Sequence, residues 1–241
     1  MKTALVTGAS SATGQAIVLA LAEGGFNIAA HYCRHAEPVQ AIQAQAASLG
    51  VAIDLFGFDL TDAVQAGEMV KAVASRFGGI DVLVNTVGPF YSQDILSVTP
   101  AAWAEAIAAN LHTAFNVTYF AREYLCASKG HIVNFAFAGV ENLSARSTSA
   151  AYCAAKAGIV ILTKSLAAGL APLGVRVNAV CPGLIDEGQV LSEERQAMAQ
   201  GIPVGRLGSP AEVAHVVKWL VTESPAYVTG ALVPVAGAWE Y

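Results

Sequence analysis

Tyr152 and Lys156 are the residues of this chain whose types and spacing most directly indicate acid–base chemistry. They stand four residues apart in Ala-Tyr-Cys-Ala-Ala-Lys-Ala. On a helix, this gap places the phenol and the ammonium on one face, where the cation stabilises the phenolate and lowers the pKa of the tyrosine. A tyrosine tuned in this way can donate or accept a proton, although an amphipathic surface helix also produces the spacing by chance.

A glycine-containing loop near the N-terminus indicates anion binding. The segment Thr7-Gly8-Ala9-Ser10-Ser11-Ala12-Thr13-Gly14 follows the first apolar run and precedes a stretch with helical apolar spacing. In a strand–loop–helix unit, the amide N–H groups of such a loop and the positive end of the helix can hold a pyrophosphate.

Short apolar runs alternate with segments of helical periodicity along the whole chain. The predicted strands are 4–7, 27–32, 51–58, 80–85, 132–137, 175–181 and 227–235, and the predicted helices are 15–23, 38–49, 62–77 with Asp62 as cap, 100–125, 149–170 and 210–222. Such alternation requires crossover connections and therefore a mostly parallel sheet that binds ligands at the carboxyl ends of its strands. We predict a doubly wound α/β fold with helices on both faces, formed by residues 1–241 as one domain.

The composition narrows the classes of protein and partner. Of 241 residues, 55% are hydrophobic and 13% charged, which suits a sheet buried on both faces and further surface buried between subunits. A net charge of −5 without a Lys/Arg cluster argues against nucleic acid. The apolar stretches are interrupted before membrane-spanning length, so we expect a cytoplasmic protein without a membrane partner. The four scattered cysteines indicate neither a disulfide framework nor a metal site.

One segment, from Gly183 to Gly201, interrupts the alternation. It carries Asp186, Glu187, Glu193 and Glu194 beside the expected ligand crevice. A long connection in this place often serves as a lid, and a solvated loop without special function is the other interpretation.

Five motifs in this order resemble those of the short-chain dehydrogenase/reductase family, and the resemblance covers essentially the whole chain. Besides the glycine loop and the Tyr152/Lys156 pair, they are Asn85-Thr86-Val87-Gly88, Asn110 in the long central helix, and Cys181-Pro182-Gly183. The resemblance implies a Rossmann-like fold and hydride transfer to a carbonyl. The overall likeness is to bacterial 3-oxoacyl carrier-protein reductases, so the expected substrate is a 3-oxoacyl thioester or another small ketone.

The resemblance also implies a role for individual residues. Tyr152 would protonate the substrate carbonyl oxygen, Lys156 would hold the nicotinamide ribose, and Asn110 would connect Lys156 to a water relay. Members of the family share a tetramer, so a homotetramer or homodimer is expected, with the apolar end 228–241 at a subunit contact. The implied cofactor contacts are Gly8, Ser10, Ser11, Ala12, Thr13, Gly14, Tyr32, Arg34, Asp59, Leu60, Asn85, Val87, Gly88, Tyr152, Lys156, Pro182 and Gly183.

The cofactor preference is indicated by what ends the second strand. A carboxylate there accepts from a free ribose hydroxyl, whereas an arginine neutralises a 2′-phosphate. The stretch 31–35 contains Arg34 and no acid, which predicts NADPH rather than NADH, although Ser11 stands where many NADPH-preferring relatives carry a basic residue. Ala12 replaces the middle glycine of the family pattern, and we expect a small backbone shift to absorb its methyl group.

One member of the family's catalytic set is missing. The serine that normally follows the fifth strand is replaced by Phe137 or a close neighbour. Loss of such a donor to a developing oxyanion typically slows a reaction roughly a hundred- to a thousand-fold. Three explanations are open: a substitute donor from the following loop, an aromatic substrate that stacks on Phe137, or a protein that binds cofactor and does little chemistry. The candidate donors are Asn142, Ser144, Ser147, Thr148 and Ser149.

A partial likeness to pteridine reductases bears on the second explanation. The stretch His31-Tyr32-Cys33-Arg34 resembles the corresponding stretch of those enzymes, which can use an aspartate where other members use serine. No aspartate follows the fifth strand here, which argues against a direct transfer of pterin reduction. An aromatic residue near the nicotinamide could nevertheless favour a flat heterocycle. For Phe135, packing in the core is the expected role.

Overall fold

The computed structural model describes residues 1–188 and 191–239 and contains a seven-stranded parallel sheet. The strand order is β3-β2-β1-β4-β5-β6-β7, and it reverses direction between β1 and β4. The strands are β1 (Thr3–Thr7), β2 (Asn27–Tyr32), β3 (Ile53–Gly57), β4 (Val82–Asn85), β5 (His131–Phe135), β6 (Arg176–Pro182) and β7 (Leu232–Val235). This topology confirms the predicted doubly wound α/β fold.

Helices cover both faces of the sheet. They are α1 (Ala12–Glu23), α2 (Glu37–Ala47), α3 (Ala63–Phe77), α4 (Pro100–Ile107), α5 (Thr113–Ser128), α6 (Ala150–Leu170), α7 (Ser192–Gln200) and α8 (Pro210–Thr222). Alternate residues of β1 enter opposite cores, because Ala4 and Val6 pack with α1, α2 and α8, whereas Leu5 packs with α3 and α5. Because both faces of the sheet are packed against helices, the strand ends hold the loops that follow them in fixed positions.

The long central helix contains an irregular turn that periodicity does not predict. Instead of one α-helix over 100–125, residues Ala108–His112 form a π-helical turn between α4 and α5, and the Thr113 N–H bonds to the carbonyl of Ala108. The Asn110 Nδ2 donates to the carbonyl of Ala106 at 3.1 Å, so a side chain competes for an acceptor of the helix backbone. Turns of this kind occur frequently at functional sites.

Other boundaries differ from the predictions for local reasons. β5 ends at Phe135 rather than at residue 137. β7 begins at Leu232 rather than at residue 227, because Gly230, with a φ of 76°, turns the chain just before it. The segment predicted as a long connection contains α7, which has no buried apolar residue and therefore gives no periodic signal. Residues 189 and 190 of that segment, and 240 and 241 of the predicted C-terminal contact, lie outside the described residues.

Helix α6 is unusually apolar for a helix of this length. Together with the following turn it spans Ala150–Leu173, and by length and composition alone it could cross a membrane. It packs against β6, and Ala155, Ile159 and Ala167 are buried on its inner face. Its inner face is thus packed against the sheet, and 28% of its most apolar stretch is buried.

Two buried histidines are neutral in the folded protein, mainly because burial disfavours their charged form. The Asn178 Nδ2 lies 2.9 Å from the Nε2 of His131, and because the Asn178 Oδ1 accepts from Ala231 N–H, the imidazole nitrogen must accept. The Nδ1 of His31 accepts from the Gly8 N–H at 3.1 Å. Burial lowers the pKa of His131 from 6.5 to about 3 and that of His31 from 6.5 to about 4.

These histidines predict a loss of stability in acid. Because their folded-state pKa values lie below 6.5, the unfolded chain binds more protons between pH 6.5 and about 4. As the pH decreases through that window, the free energy of unfolding should therefore decrease by about 1.4 kcal/mol per pH unit for each histidine. Urea denaturation at several pH values measures this slope. His131→Gln should reduce it, and His35→Gln, at an exposed position, should leave it unchanged; equal slopes in all three proteins would contradict the assignment.

Candidate active site

A cavity of about 1230 Å³ lies at the carboxyl ends of the strands. Its walls come from segments that follow each of the seven strands, from Gly8 after β1 to Trp239 after β7. The loops after β1 and β4 meet at its centre, where the strand order reverses. In open α/β sheets this is the place where ligands bind.

The glycine loop presents free donors to one end of the cavity. The Gly8 and Ala9 N–H groups bond to the Nδ1 and the carbonyl of His31, and the Ser11 Oγ caps α1 by accepting from the Gly14 N–H at 3.0 Å. Over the described residues, the N–H groups of Ser10, Ala12 and Thr13 find no acceptor in the protein. Together with the positive end of α1, they can hold a phosphate or pyrophosphate.

Close packing requires a glycine at position 14. A Cβ at this position would lie 2.8 Å from the Cα of Ala9. Neither Gly14 nor Ala12 contributes to the wall of the cavity. Ala12 is the first residue of α1, and its contribution to the phosphate subsite is its free N–H group.

Arg34 and Asp59 lie on the wall of the cavity beyond the ends of β2 and β3. Arg34 is exposed and takes part in none of the ion pairs found among the described residues. The Asp59 Oδ1 accepts from the backbone N–H and the hydroxyl of Thr61, at 3.0 and 2.7 Å. A carboxylate that closes a turn and an uncommitted guanidinium thus lie on the same wall.

Tyr152 and Lys156 lie at the other end of the cavity, both on α6. Lys156 is only 3% exposed, its Nζ donates to the carbonyl of Phe135 at 3.0 Å, and it lies 5.7 Å from the centre of the Tyr152 ring. Burial lowers the pKa of Lys156 from 10.5 to about 8. The amine is therefore mainly charged at neutral pH and close enough to stabilise a phenolate.

Asn110 and Lys156 converge on Gly88 from two different helices. A Cβ at Gly88 would lie 2.7 Å from the Asn110 Oδ1 and closer still to the Lys156 Nζ. The Asn110 Nδ2 donates to the carbonyls of Pro89 and Ala106, and its buried Oδ1 has no partner among the described residues. An unpaired buried acceptor beside a buried ammonium is a suitable place for a bound water or a ligand hydroxyl.

Aromatic rings surround the Tyr152 ring. The Phe137 ring stacks on it with centroids 5.8 Å apart and planes inclined by 25°, and the Phe90 ring meets it edge-on at 5.1 Å. Phe90 and Phe137 both line the cavity. Phe137 thus places an apolar surface against the Tyr152 ring, close to where the family resemblance implies a hydroxyl.

The five candidate substitute donors do not line this cavity. The N–H groups of Gln93 and Ile95 bond to the carbonyls of Thr148 and Ser147, which ties their loop to the segment after β4. The Ser149 Oγ contacts the Cys153 Sγ at 3.5 Å. The structure therefore gives no support to the first explanation for the missing serine.

The cavity brings together most of the predicted cofactor contacts, and some are placed elsewhere. Those on its wall are Gly8, Ser10, Ser11, Thr13, Arg34, Asp59, Leu60, Val87, Gly88, Tyr152, Lys156, Pro182 and Gly183. Tyr32 does not line the wall, and its ring covers Gly57. Asn85 does not line it either, and its Nδ2 donates to the Asn134 Oδ1 inside the sheet at 2.9 Å.

Several wall residues carry no recognisable signal in the sequence. They include Phe90, Glu105, Met198 and Trp239. Met198, for example, lies on α7, which has no buried apolar residue. Their place on the wall depends on the tertiary fold.

Comparison with known proteins assigns the family. A family model described as enoyl-(acyl carrier protein) reductase matches residues 8–238. The chain is also 35% identical, over 240 residues, to a 3-oxoacyl-[acyl-carrier-protein] reductase of Staphylococcus aureus, covering 98% of this chain and 97% of that protein. The chain belongs to the short-chain dehydrogenase/reductase family. This dehydrogenase/reductase therefore has the fold and the oxidoreductase activity that its motifs indicate.

Solved structures agree with this assignment. The crystal structure of an acetoin dehydrogenase from Salmonella typhimurium matches with a TM-score of 0.89 at 29% identity, covering 98% of this chain and 96% of that one. A blue fluorescent protein from a metagenomic library, solved in complex with NADPH, matches with a TM-score of 0.92 at 27% identity, covering 100% and 98%.

The convergence on Gly88 predicts a defect from a single methyl group. Gly88→Ala should displace the Lys156 amine or the Asn110 amide, and a displacement of about 1 Å in such a site costs roughly a hundred-fold in turnover. Gly79→Ala is a matched control, because a Cβ there meets nothing within 4 Å. Circular dichroism checks that both variants fold, and steady-state kinetics measures turnover. Full activity in Gly88→Ala would show that the positions of Lys156 and Asn110 do not depend on the missing side chain at Gly88.

Proposed function

We propose that this dehydrogenase/reductase uses NADPH to reduce a carbonyl group of a small molecule or thioester, with Tyr152 as the acid. The observation that carries the proposal is the position of Lys156, an amine that is 3% exposed and yet lies on the cavity wall beside the Tyr152 ring. A buried cation next to a phenol stabilises the phenolate that remains after proton donation.

The residues of the cavity fit the cofactor at both of its ends. The free amides of the glycine loop would hold the pyrophosphate. The buried Lys156 amine, with the space that Gly88 leaves open beside it, would bind the nicotinamide ribose. NADPH, when bound, supplies the hydride. Arg34, which has no carboxylate partner among the described residues, would neutralise a 2′-phosphate, so we expect NADPH to be preferred over NADH. The NADPH bound to the metagenomic relative supports this preference.

The side chains of the site account for the proton that reduction requires. As the carbonyl carbon gains hydride, its oxygen gains a proton from the Tyr152 hydroxyl. Lys156 stabilises the phenolate, and the unpaired Asn110 Oδ1 would hold a water through which the proton is replaced. With Phe137 in place of a second donor, Tyr152 alone would hydrogen-bond the oxygen, so turnover on generic ketones is expected to be low.

A Tyr152→Phe variant tests this proposal. We expect it to lose NADPH-dependent turnover roughly a hundred- to ten-thousand-fold while it still binds the cofactor. Tyr227→Phe, at a side chain that is 99% exposed, is the matched control. The assay follows NADPH and NADH oxidation with diketones, acetoacetyl thioesters, quinones and pterins. Cofactor binding without turnover on any of them would instead support the catalytically attenuated binding protein.

A flat aromatic carbonyl or heterocycle is the second candidate substrate. It is supported by the aromatic cluster of Phe90, Phe137 and Tyr152, because a conjugated ring can stack where an aliphatic chain gains only apolar contact. In this alternative, Phe137 recognises the substrate instead of stabilising its charge.

Substitutions at Phe137 distinguish the two substrates. Phe137→Ser restores a hydroxyl, so turnover of an aliphatic ketone should rise by roughly ten-fold or more. The same change should lower kcat/KM for an aromatic ketone, because the stacking surface is lost. Phe137→Leu, which is apolar and has no hydroxyl, should lower kcat/KM for the aromatic ketone and should not raise the turnover of the aliphatic ketone. If aromatic kcat/KM is unchanged in both variants, Phe137 does not recognise the substrate.

Self-association is part of the proposed function. Phe115, Tyr119 and Phe120 on α5 are 50%, 49% and 36% exposed, and Ile161 on α6 is 68% exposed. These apolar side chains lie on the two long helices through which the predicted homotetramer or homodimer would form. Sedimentation equilibrium measures the oligomeric state.

A further inference from the structure

Glu187 reaches across the cavity from the segment after β6 to the glycine loop. Its Oε1 accepts a hydrogen bond from the Thr13 Oγ1 at 2.7 Å, and both residues lie on the cavity wall. Thr13 is the second residue of α1, at the end of the helix where the free amides lie. A carboxylate therefore stands where a pyrophosphate would be attracted.

The Glu187 carboxylate has no cationic side chain of its own. Its neighbour Asp186 pairs with Arg195 at 2.9 Å, whereas Glu187 appears in none of the ion pairs among residues 1–188 and 191–239. The first turn of α1 contains no acidic residue. The helix end and the Thr13 hydroxyl are thus its stabilising partners, and a bound pyrophosphate would need the same ones.

The segment that carries Glu187 is anchored at its base and exposed at its tip. The Asp186 N–H bonds to the Gly208 carbonyl and the Gly208 N–H bonds to the Leu184 carbonyl, each at 2.9 Å. Glu187 and Gly188 are exposed. The Glu187 side chain can therefore rotate into solvent without breaking the backbone pairing below it.

We propose that Glu187 is an intramolecular competitor for the pyrophosphate subsite, and that its contact with Thr13 breaks when the dinucleotide binds. The inference rests on the proposed use of NADPH. Two anions cannot share one helix end without a counter-charge, so the carboxylate weakens cofactor binding and favours cofactor release. Glu187 thereby sets the affinity of the site for the dinucleotide.

Isothermal titration calorimetry with Glu187→Gln tests the inference directly. The amide keeps the size of the side chain and removes its charge, so the Kd for NADPH should fall roughly ten-fold. Glu193→Gln removes one charge from an exposed position on α7 and should leave the Kd unchanged. Adenosine 2′-monophosphate has no pyrophosphate, and its Kd should be the same in wild type and Glu187→Gln.

The possible results separate this inference from the proposed function. If wild-type protein and Glu187→Gln both fail to bind NADPH, the proposed function is wrong. If both bind it with equal Kd, or if the variant binds it more weakly, Glu187 is not a competitor, and the proposed function is unaffected. If Glu187→Gln also lowers the Kd for adenosine 2′-monophosphate, the charge of Glu187 acts on the whole cavity. That result also overturns the proposed competition for the pyrophosphate subsite.

Discussion

The fold keeps one ammonium group, that of Lys156, almost entirely out of water. Lowering its pKa from 10.5 to about 8 means that the fold destabilises the charged amine by roughly 3 kcal/mol relative to the unfolded chain. The folded protein bears this cost below pH 8, where the amine is protonated. The Phe135 carbonyl offsets part of this cost by accepting from the amine. A chain that merely needed stability would place an apolar residue here, so the buried amine is explained by what it does to the neighbouring phenol.

The surrounding irregularities can be understood from that one group. Space for the amine exists because Gly88 has no side chain, and the Asn110 Oδ1 that faces the same space is placed by the π-helical turn. The Asn110 Nδ2 stabilises this π-helical turn by donating to the carbonyls of both Pro89 and Ala106. Three segments distant in sequence thus depend on one another at the end of the cavity where the reaction is proposed.

The sequence predicted the sheet well because parallel strands buried on both faces give strong apolar runs. It also predicted the short motifs near the carboxyl ends of the strands, since topology alone brings those ends together. It could not predict the π-helical turn, where the Asn110 side chain bonds both to Ala106 within the helix and to Pro89 on another segment, or α7, which has no buried apolar residue. Nor could it predict that the Tyr32 ring covers Gly57 and that Asn85 bonds to Asn134 inside the sheet, because strand-end residues can turn either toward the crevice or into the sheet.

The ring of Phe137 makes one end of the site apolar, close to the position where the family resemblance implies a serine hydroxyl. The rings of Phe137 and Phe90 both contact the Tyr152 ring, and the charge that develops on a substrate oxygen would depend on Tyr152 and Lys156. An aromatic substrate would gain from this wall a stacking contact that an aliphatic ketone lacks, and the contact would orient its carbonyl beside Tyr152. The added binding would offset part of the rate lost with one donor, so the apolar wall and the smaller donor set would together favour the aromatic class.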